Sequence, residues 1–212
     1  TAGGFGLTLE TAYELLDSGV AIITSGNHIW DQKEMIPHLD EGLPVIRPAN
    51  YPGAPGGGSL IQDDVMVINL QGRVFMPALD CPFRTADRLL QEAGISGLPS
   101  VIMVDFHAEA TSEKQAMGWY LDGSVGAVLG THTHVGTVDA RVLPKGTAYV
   151  TDVGMTGPVN SVIGSEASAV LERFLTAIPQ RLPVASGPTV LNSVLVDIDP
   201  GTGNAQSIQR LD

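Results

Sequence analysis

Short apolar runs alternate along the chain with segments whose apolar residues recur at helical spacing. The run that ends near Ser25 is β-branched and apolar on both faces, which is typical of a central parallel strand, and two further apolar runs end near Phe106 and Leu129. A further strand is predicted near residues 147–151. Helices are predicted from Leu9 to Leu16 after the N-cap Thr8, from Asp31 to Ile36, from Arg84 to Ala93, from Glu113 to Leu121 and from Ser168 to Ile178. This alternation predicts an α/β core.

Two antiparallel hairpins complete the predicted elements. One pairs residues 59–62 with 65–70, and the other pairs 190–198 with 205–210. The segments 44–55 and 71–83 are predicted to be irregular. Neither an internal repeat nor a long linker divides the sequence, so residues 1–212 are predicted to form one domain.

Composition narrows the function classes. The chain has 212 residues, of which 43% are hydrophobic and 16% charged, as expected of a globular domain. A net charge of −12 with 11 basic residues argues against an extended nucleic-acid surface but permits a small phosphorylated ligand. No apolar run approaches the ~20 residues that cross a bilayer. The single cysteine, Cys81, and the lack of a leader pattern predict a cytoplasmic protein.

The sequence opens with Thr1-Ala2-Gly3-Gly4-Phe5-Gly6 and has no initiator methionine. We interpret this glycine-rich opening as the middle of a functional loop that an upstream strand precedes. The alternative is a processed or trimmed terminus.

Four of the five histidines follow apolar runs, and only His38 does not. His132 and His134 come after the same run, and an i, i+2 spacing on a strand predicts that both side chains project in one direction. His28 and His107 follow two other predicted strands. Strand ends in open α/β sheets line the ligand crevice, so these side chains are expected to converge. A single histidine at a strand end is as often an ordinary hydrogen-bonded residue as a ligand, but four such histidines together favour a metal site.

Hydrolysis of phosphate esters by two metal ions requires imidazole, amide and carboxylate ligands. Asn27 and the histidines supply the first two types, but carboxylates are too few. Asp105 lies two positions before His107, and Glu109 is expected to cap or orient rather than bind metal. The sequence therefore predicts a metal site that lacks an acidic ligand.

The motifs Gly26-Asn27-His28 and Gly130-Thr131-His132-Thr133-His134 resemble those of the calcineurin-like metallophosphoesterases. The closer resemblance is to the bacterial YmdB-like branch, and it extends over nearly the whole chain. It is carried by residues 2–6, 26–30, 69–76, 104–114, 130–135 and 151–158. The resemblance implies a calcineurin-like fold with two mixed β-sheets flanked by helices, of which the first strand is missing from this sequence.

The resemblance also implies an activity, namely hydrolysis of 2′,3′-cyclic nucleotides to 3′-nucleotides at a dinuclear metal site. Asn27, His107 and His132 are expected to bind one ion and His134 the other. The ions expected are manganese or iron, with magnesium and zinc as alternatives. His28 is expected to protonate the leaving ribose oxygen or to stabilise charge on the phosphoryl group.

The family's first-strand Asp and bridging Glu have no counterpart in the sequence, and both are expected to precede Thr1. We therefore interpret the chain as an N-terminally incomplete copy of an active enzyme, and its own activity is left open. A phosphomonoesterase or broad phosphodiesterase using the same ligands, and a non-catalytic regulatory protein, are the alternatives.

Several other residues have weaker interpretations. Arg73 is a candidate substrate contact because the guanidinium fork suits phosphoryl oxygens, and a surface ion pair is the alternative. Asp152 is expected either to line the site or to form a turn. Glu113 and Lys114 are expected to start a helix rather than to do chemistry. The expected partner is a small phosphorylated nucleotide, and formation of a homo-oligomer is left open.

Overall fold

A six-stranded mixed sheet forms the centre of the protein in the computed structural model, which describes residues 4–97 and 99–212. Thr1, Ala2 and Gly3 of the predicted opening loop lie outside the described residues. The helices are α1 (Leu9–Asp17), α2 (Pro82–Ser96), α3 (Thr111–Leu121) and α4 (Ala167–Thr176). The strands are β1 (Ile23–Thr24), β2 (Val45–Ile46), β3 (Ser59–Gln62), β4 (Val65–Gln71), β5 (Val101–His107), β6 (Ala127–Thr131), β7 (Arg141–Val142), β8 (Ala148–Val150), β9 (Thr156–Pro158), β10 (Thr189–Leu191), β11 (Val194–Ile198) and β12 (Ala205–Arg210).

The strand order of the large sheet is β3-β4-β5-β6-β8-β7. The four inner strands are parallel, and β3 and β7 pair antiparallel at the two edges. The carboxyl ends of β4, β5, β6 and β8 therefore meet at one edge of the sheet. The prediction of an α/β core is confirmed.

Alternating burial along β5 divides its residues between two layers. Ile102, Val104 and Phe106 pack with apolar residues of α2 and α3 in the main hydrophobic core. Complete burial of a side chain as large as Phe106 contributes about 1.5–3 kcal/mol. The alternate residues Asp105 and His107 face the other side of the sheet. On that side, the hairpin β11-β12 packs against residues of β6 and β8.

Three two-stranded sheets accompany the large mixed sheet, whereas the resemblance implied two mixed sheets in all. The predicted central strand near Ser25 is wrong, because β1 has only two residues, pairs with β2 alone, and ends where Gly26 turns the chain with φ 62°. The predicted helix 31–36 is replaced by two 3₁₀ helices, Gly26–Trp30 and Lys33–Asp40. Pro37 lies in the second one and cannot donate a backbone hydrogen bond there.

The second predicted hairpin is also divided. Residues 189–191 form β10 and pair with β9, whereas only β11 pairs with β12. Asn192 causes the break, since its backbone N–H donates to the Met155 carbonyl and its Oδ1 accepts from the Met155 N–H. Among the described residues, no helix has the length and apolar character that a membrane span requires.

Replacement of Gly130 by Ala is expected to destabilise the sheet, because a Cβ atom there would overlap the backbone carbonyl of Thr151 in the neighbouring chain segment. The backbone carbonyl cannot rotate away as a side chain could. We therefore expect the free energy of unfolding to fall by about 3 kcal/mol, the upper end of the usual range for overpacking. Gly94→Ala is the matched control, since an added Cβ at that position in α2 meets nothing within 4 Å. Urea unfolding should show a lower midpoint for G130A and an unchanged or higher one for G94A. Equal midpoints for G130A and the wild type would contradict this packing.

Candidate metal centre

Three side chains from separate segments converge beyond the carboxyl edge of the sheet. Asn27 belongs to the first 3₁₀ helix, His107 is the last residue of β5, and His132 follows β6. His107 Nε2 lies 2.7 Å from Asn27 Oδ1 and 3.0 Å from His132 Nδ1. Asn27, His107 and His132 are the three residues that sequence analysis assigned to one metal ion.

Hydrogen bonds behind the site determine which nitrogen of His107 carries the proton. Thr131 Oγ1 donates to Asp105 Oδ1 at 2.7 Å, so this hydroxyl oxygen is the acceptor in its 3.0 Å contact with His107 Nδ1. These bonds assign the proton to Nδ1, and in this tautomer Nε2 carries a lone pair towards Asn27 and His132. Burial, followed by the effect of His132, lowers the pKa of His107 to about 3, so the ring is neutral at physiological pH.

The same logic applies to His132. Its Nε2 lies 3.2 Å from Glu109 Oε2, so Nε2–H donates to that carboxylate and Nδ1 carries the lone pair. Burial lowers the pKa of His132, and the Glu109 charge opposes that effect. Glu109 therefore orients His132, as sequence analysis expected.

Three acceptor atoms consequently face one another with no proton between them. The contact of Asn27 with His107 could be satisfied by turning its amide nitrogen towards the ring, but the contact between the two imidazole lone pairs would remain unexplained. A cation satisfies all three atoms. Imidazole nitrogens and an amide oxygen are ligands that transition-metal ions accept, so Asn27, His107 and His132 would hold one such ion.

The donor set contains two imidazoles and one amide oxygen. Within residues 4–97 and 99–212, no three His, Cys, Asp or Glu side chains form a metal-binding group by themselves. Asn27 therefore supplies the third donor atom beside the rings of His107 and His132.

Gly26 allows the Asn27 segment to approach His107. Its φ is 62°, and a Cβ atom would collide with the His107 ring. The Gly26 N–H donates to Asn69 Oδ1 at 3.2 Å, and Asn69 Nδ2 donates to Asp105 Oδ2 at 3.1 Å. Burial raises the pKa of Asp105, and hydrogen bonds from Thr24 and Thr131 oppose the rise. This network connects the 3₁₀ helix through β4 to β5, the strand that ends at His107.

His134 lies outside the close group of three side chains. Its Nδ1–H donates to the Ile163 carbonyl at 3.0 Å, which leaves Nε2 as the free acceptor. The prediction that His132 and His134 project together from a strand is wrong. Strand β6 ends at Thr131, and the two histidines have φ values of 101° and 65°, so strand geometry does not apply to them.

His28 points to a different partner. Its Nδ1 lies 2.7 Å from Asp31 Oδ2, and the two side chains are 40% and 41% exposed. The Phe5 ring lies against the imidazole, with the ring centroids 5.3 Å apart. His28 follows Asn27 directly in the chain, and none of the hydrogen bonds described joins its ring to Asn27, His107 or His132.

Arg73 is not brought into contact with these side chains by any of the hydrogen bonds described. It follows β4 at the same edge of the sheet and is exposed. Its backbone N–H donates to the Glu113 carboxylate, and its guanidinium Nη2 lies 3.5 Å from Cys81 Sγ. A surface arginine beside the sheet edge is all that these contacts establish.

Three groups that hold the histidine rings in place were not predicted from the sequence. Asp31 orients His28, Thr131 orients His107, and the carbonyl of Ile163 orients His134. The i, i+3 spacing of His28 and Asp31 was a usable signal. A backbone carbonyl 29 residues away left none, because any residue can supply it.

Comparison with known proteins identifies the family and supports the fold. The family described as "YmdB-like protein" matches residues 1–211. A 2′,3′-cyclic-nucleotide 2′-phosphodiesterase of Bacillus subtilis (strain 168) is 50% identical over 215 residues, which cover 99% of this chain and 81% of the relative. The crystal structure of a hypothetical protein from Thermus thermophilus has a TM-score of 0.91 and 44% identity, and the match covers 99% of this chain and 82% of that one.

A second crystal structure, of a novel phosphatase from Mycoplasma pneumoniae, has a TM-score of 0.89 and 33% identity, and the match covers 97% of this chain and 76% of that one. The resemblance stated from sequence motifs and the metallophosphoesterase fold it implied are confirmed, and a regulatory protein without activity is not supported. The chain belongs to the YmdB-like family and is a hydrolase of the phosphatase and phosphodiesterase kind.

Proposed function

We propose that this protein hydrolyses 2′,3′-cyclic nucleotides to 3′-nucleotides at a site that holds two metal ions. The observation that carries the proposal is the convergence of Asn27 Oδ1, His107 Nε2 and His132 Nδ1, in which His107 Nε2 lies within 3.0 Å of both other atoms. The Bacillus subtilis relative, at 50% identity, is named for this reaction.

Asn27, His107 and His132 would hold one ion, and His134 Nε2 would contribute to the other. Bound manganese or iron supplies Lewis acidity, which neutralises the phosphoryl oxygens and makes a water molecule more acidic; zinc and magnesium are alternatives. Thr131, Glu109 and the Ile163 carbonyl keep the imidazoles in the tautomers that binding requires. A ring free to rotate would lose part of this preorganisation.

His28 would deliver the proton that the leaving group needs. When water adds to phosphorus and the bond from phosphorus to the ribose 2′-oxygen breaks, that oxygen departs with a proton. Asp31 Oδ2 lies 2.7 Å from Nδ1 and orients the ring, so Nε2 is the nitrogen that would transfer the proton or stabilise the phosphoryl charge.

The substrate would be a small nucleotide rather than a polymer, since the net charge is −12. Arg73 remains the proposed contact to the substrate from the sheet edge, and its exposed guanidinium leaves it able to reach a ligand. A cytoplasmic location remains a prediction from cysteine usage, and the oligomeric state is open.

The full-length protein with Mn²⁺ is expected to convert 2′,3′-cyclic AMP to 3′-AMP, as measured by chromatography of the products. Chelation should abolish turnover and added Mn²⁺ should restore it, because the site's acceptors bind metal. The structural match to a Mycoplasma pneumoniae phosphatase supports hydrolysis of monoesters as the second candidate function of this chain. We therefore assay 3′-AMP as a substrate in parallel. Faster release of phosphate from 3′-AMP than opening of the cyclic ester would select the second candidate.

His28→Gln is expected to lower kcat by about 10²–10⁴-fold, the usual contribution of a general acid, while Mn²⁺ affinity is retained. His38→Gln is a closely matched control. His38 also lies on a 3₁₀ helix and pairs with a carboxylate three residues later, Glu41, at 2.6 Å. An unchanged kcat in H28Q would eliminate the proposed proton transfer.

Asn27→Ala removes one of the three acceptors and is expected to weaken Mn²⁺ binding by at least about tenfold. The exposed Asn160 provides the control variant Asn160→Ala, which should bind Mn²⁺ as the wild type does. Calorimetric titration of the metal-free proteins measures the affinities. Equal affinity in N27A would place the metal elsewhere.

A further inference from the structure

We propose that the buried ion pair of Lys114 and Asp152 positions the turn 131–134 that carries His132 and His134. This role rests on the proposed metal site and assigns to it two positioning residues that do not themselves bind metal. The connection runs from Lys114 through Asp152 to Thr133, the residue between the two histidines.

The ion pair is fully enclosed by protein. Lys114 Nζ lies 2.6 Å from Asp152 Oδ2, and each side chain is only 1% exposed. Lys114 belongs to the first turns of α3, and Asp152 lies two residues beyond β8. Burial of two charges costs solvation, and an unpaired buried charge costs far more, so both groups must keep their partners.

The Asp152 carboxylate accepts four of the hydrogen bonds described. Oδ2 accepts from Lys114 Nζ, from Thr133 Oγ1 at 2.8 Å and from Thr133 N–H at 3.1 Å, while Oδ1 accepts from Gly154 N–H at 2.9 Å. One carboxylate oxygen therefore holds both the backbone and the side chain of Thr133. Lys114 provides the positive charge that pairs with this buried carboxylate and holds it in place.

Thr133 needs such an anchor because the residues on both sides of it are strained. His132 and His134 have φ values of 101° and 65°, a region that side chains other than glycine rarely adopt. A strained backbone persists only where surrounding contacts hold it, and it concentrates at functional sites. The two bonds from Thr133 to Asp152 are contacts of this kind.

Relaxation of this turn would act on metal binding directly. His132 Nδ1 lies 3.0 Å from His107 Nε2, and His134 Nδ1–H reaches the Ile163 carbonyl at 3.0 Å. Rotation at Thr133 would move both rings away from these partners. The ion pair would therefore determine how well the histidines are preorganised, without contacting a ligand itself.

The test uses four variants of the full-length protein. Lys114→Met removes the charge, and Thr133→Val removes the hydroxyl donor at nearly constant size. Thr133→Ser restores the hydroxyl and should recover wild-type behaviour. Thr137→Val is the control, because Thr137 Oγ1 accepts from the Asp152 backbone N–H at 2.9 Å but makes no described contact with the histidine turn.

Two readouts are required. Titration with Co²⁺, followed by visible absorption, is expected to show affinity lowered by about 10–100-fold in K114M and T133V, as for other residues that orient metal ligands. Imidazole ¹⁵N spectra of the metal-free proteins should show shifted signals for His132 and His134 and an unchanged signal for His38. T133S and T137V should match the wild type in both measurements.

Wild-type Co²⁺ affinity and unshifted His132 and His134 signals in T133V would overturn the proposal, whatever the stability of K114M. If the wild type itself binds no Co²⁺, the proposed metal site fails. The metal-free imidazole spectra then still decide whether the ion pair positions the two rings. The two failures are therefore distinguishable.

Discussion

Each histidine at the site has one ring nitrogen committed to a hydrogen bond with the protein. Thr131 binds Nδ1 of His107, and Glu109 binds Nε2 of His132. The remaining nitrogens of these two rings then face each other as acceptors, and His134, outside this group, has its Nδ1–H bound to the Ile163 carbonyl. Lone pairs that face one another are unfavourable without a cation. The hydrogen bonds on the outer ring nitrogens therefore favour the binding of a metal ion between the rings.

The first turn of α3 connects two loops at the carboxyl edge of the sheet. Glu113, only 8% exposed, accepts from the backbone N–H groups of Arg73 and Val74 after β4. The next residue, Lys114, reaches Asp152 after β8. Adjacent residues of opposite charge thus hold loops that follow strands at different positions in the sheet. Sequence analysis interpreted these two residues as an ordinary helix start, which they also are.

Much of the fold could be predicted from the sequence pattern, because β5 and β6 are mostly apolar and α2 has clear helical spacing. The 3₁₀ helices could not, since Gly26 and Pro37 redirect the chain through local conformation that hydrophobicity does not report. Asn27, His107 and His132 were identified from motif resemblance and strand ends, and the structure brings them together.

The backbone conformation of His132 and His134 could not be predicted from the sequence. An i, i+2 spacing suggested a strand, but His132 and His134 adopt left-handed φ values that depend on tertiary contacts to Asp152 and Ile163. Buried charges such as Lys114 are likewise invisible in a single sequence, because a lysine in the first turns of a helix is ordinarily exposed.

The most direct test of this account is the anomalous scattering of manganese in crystals of the full-length protein grown with Mn²⁺. We predict a peak bonded to Asn27 Oδ1, His107 Nε2 and His132 Nδ1, with Thr131 and Glu109 still bound to the outer ring nitrogens. Density without such a peak, in which the Asn27 amide nitrogen donates directly to His107, would contradict the central claim that these three atoms form a metal centre.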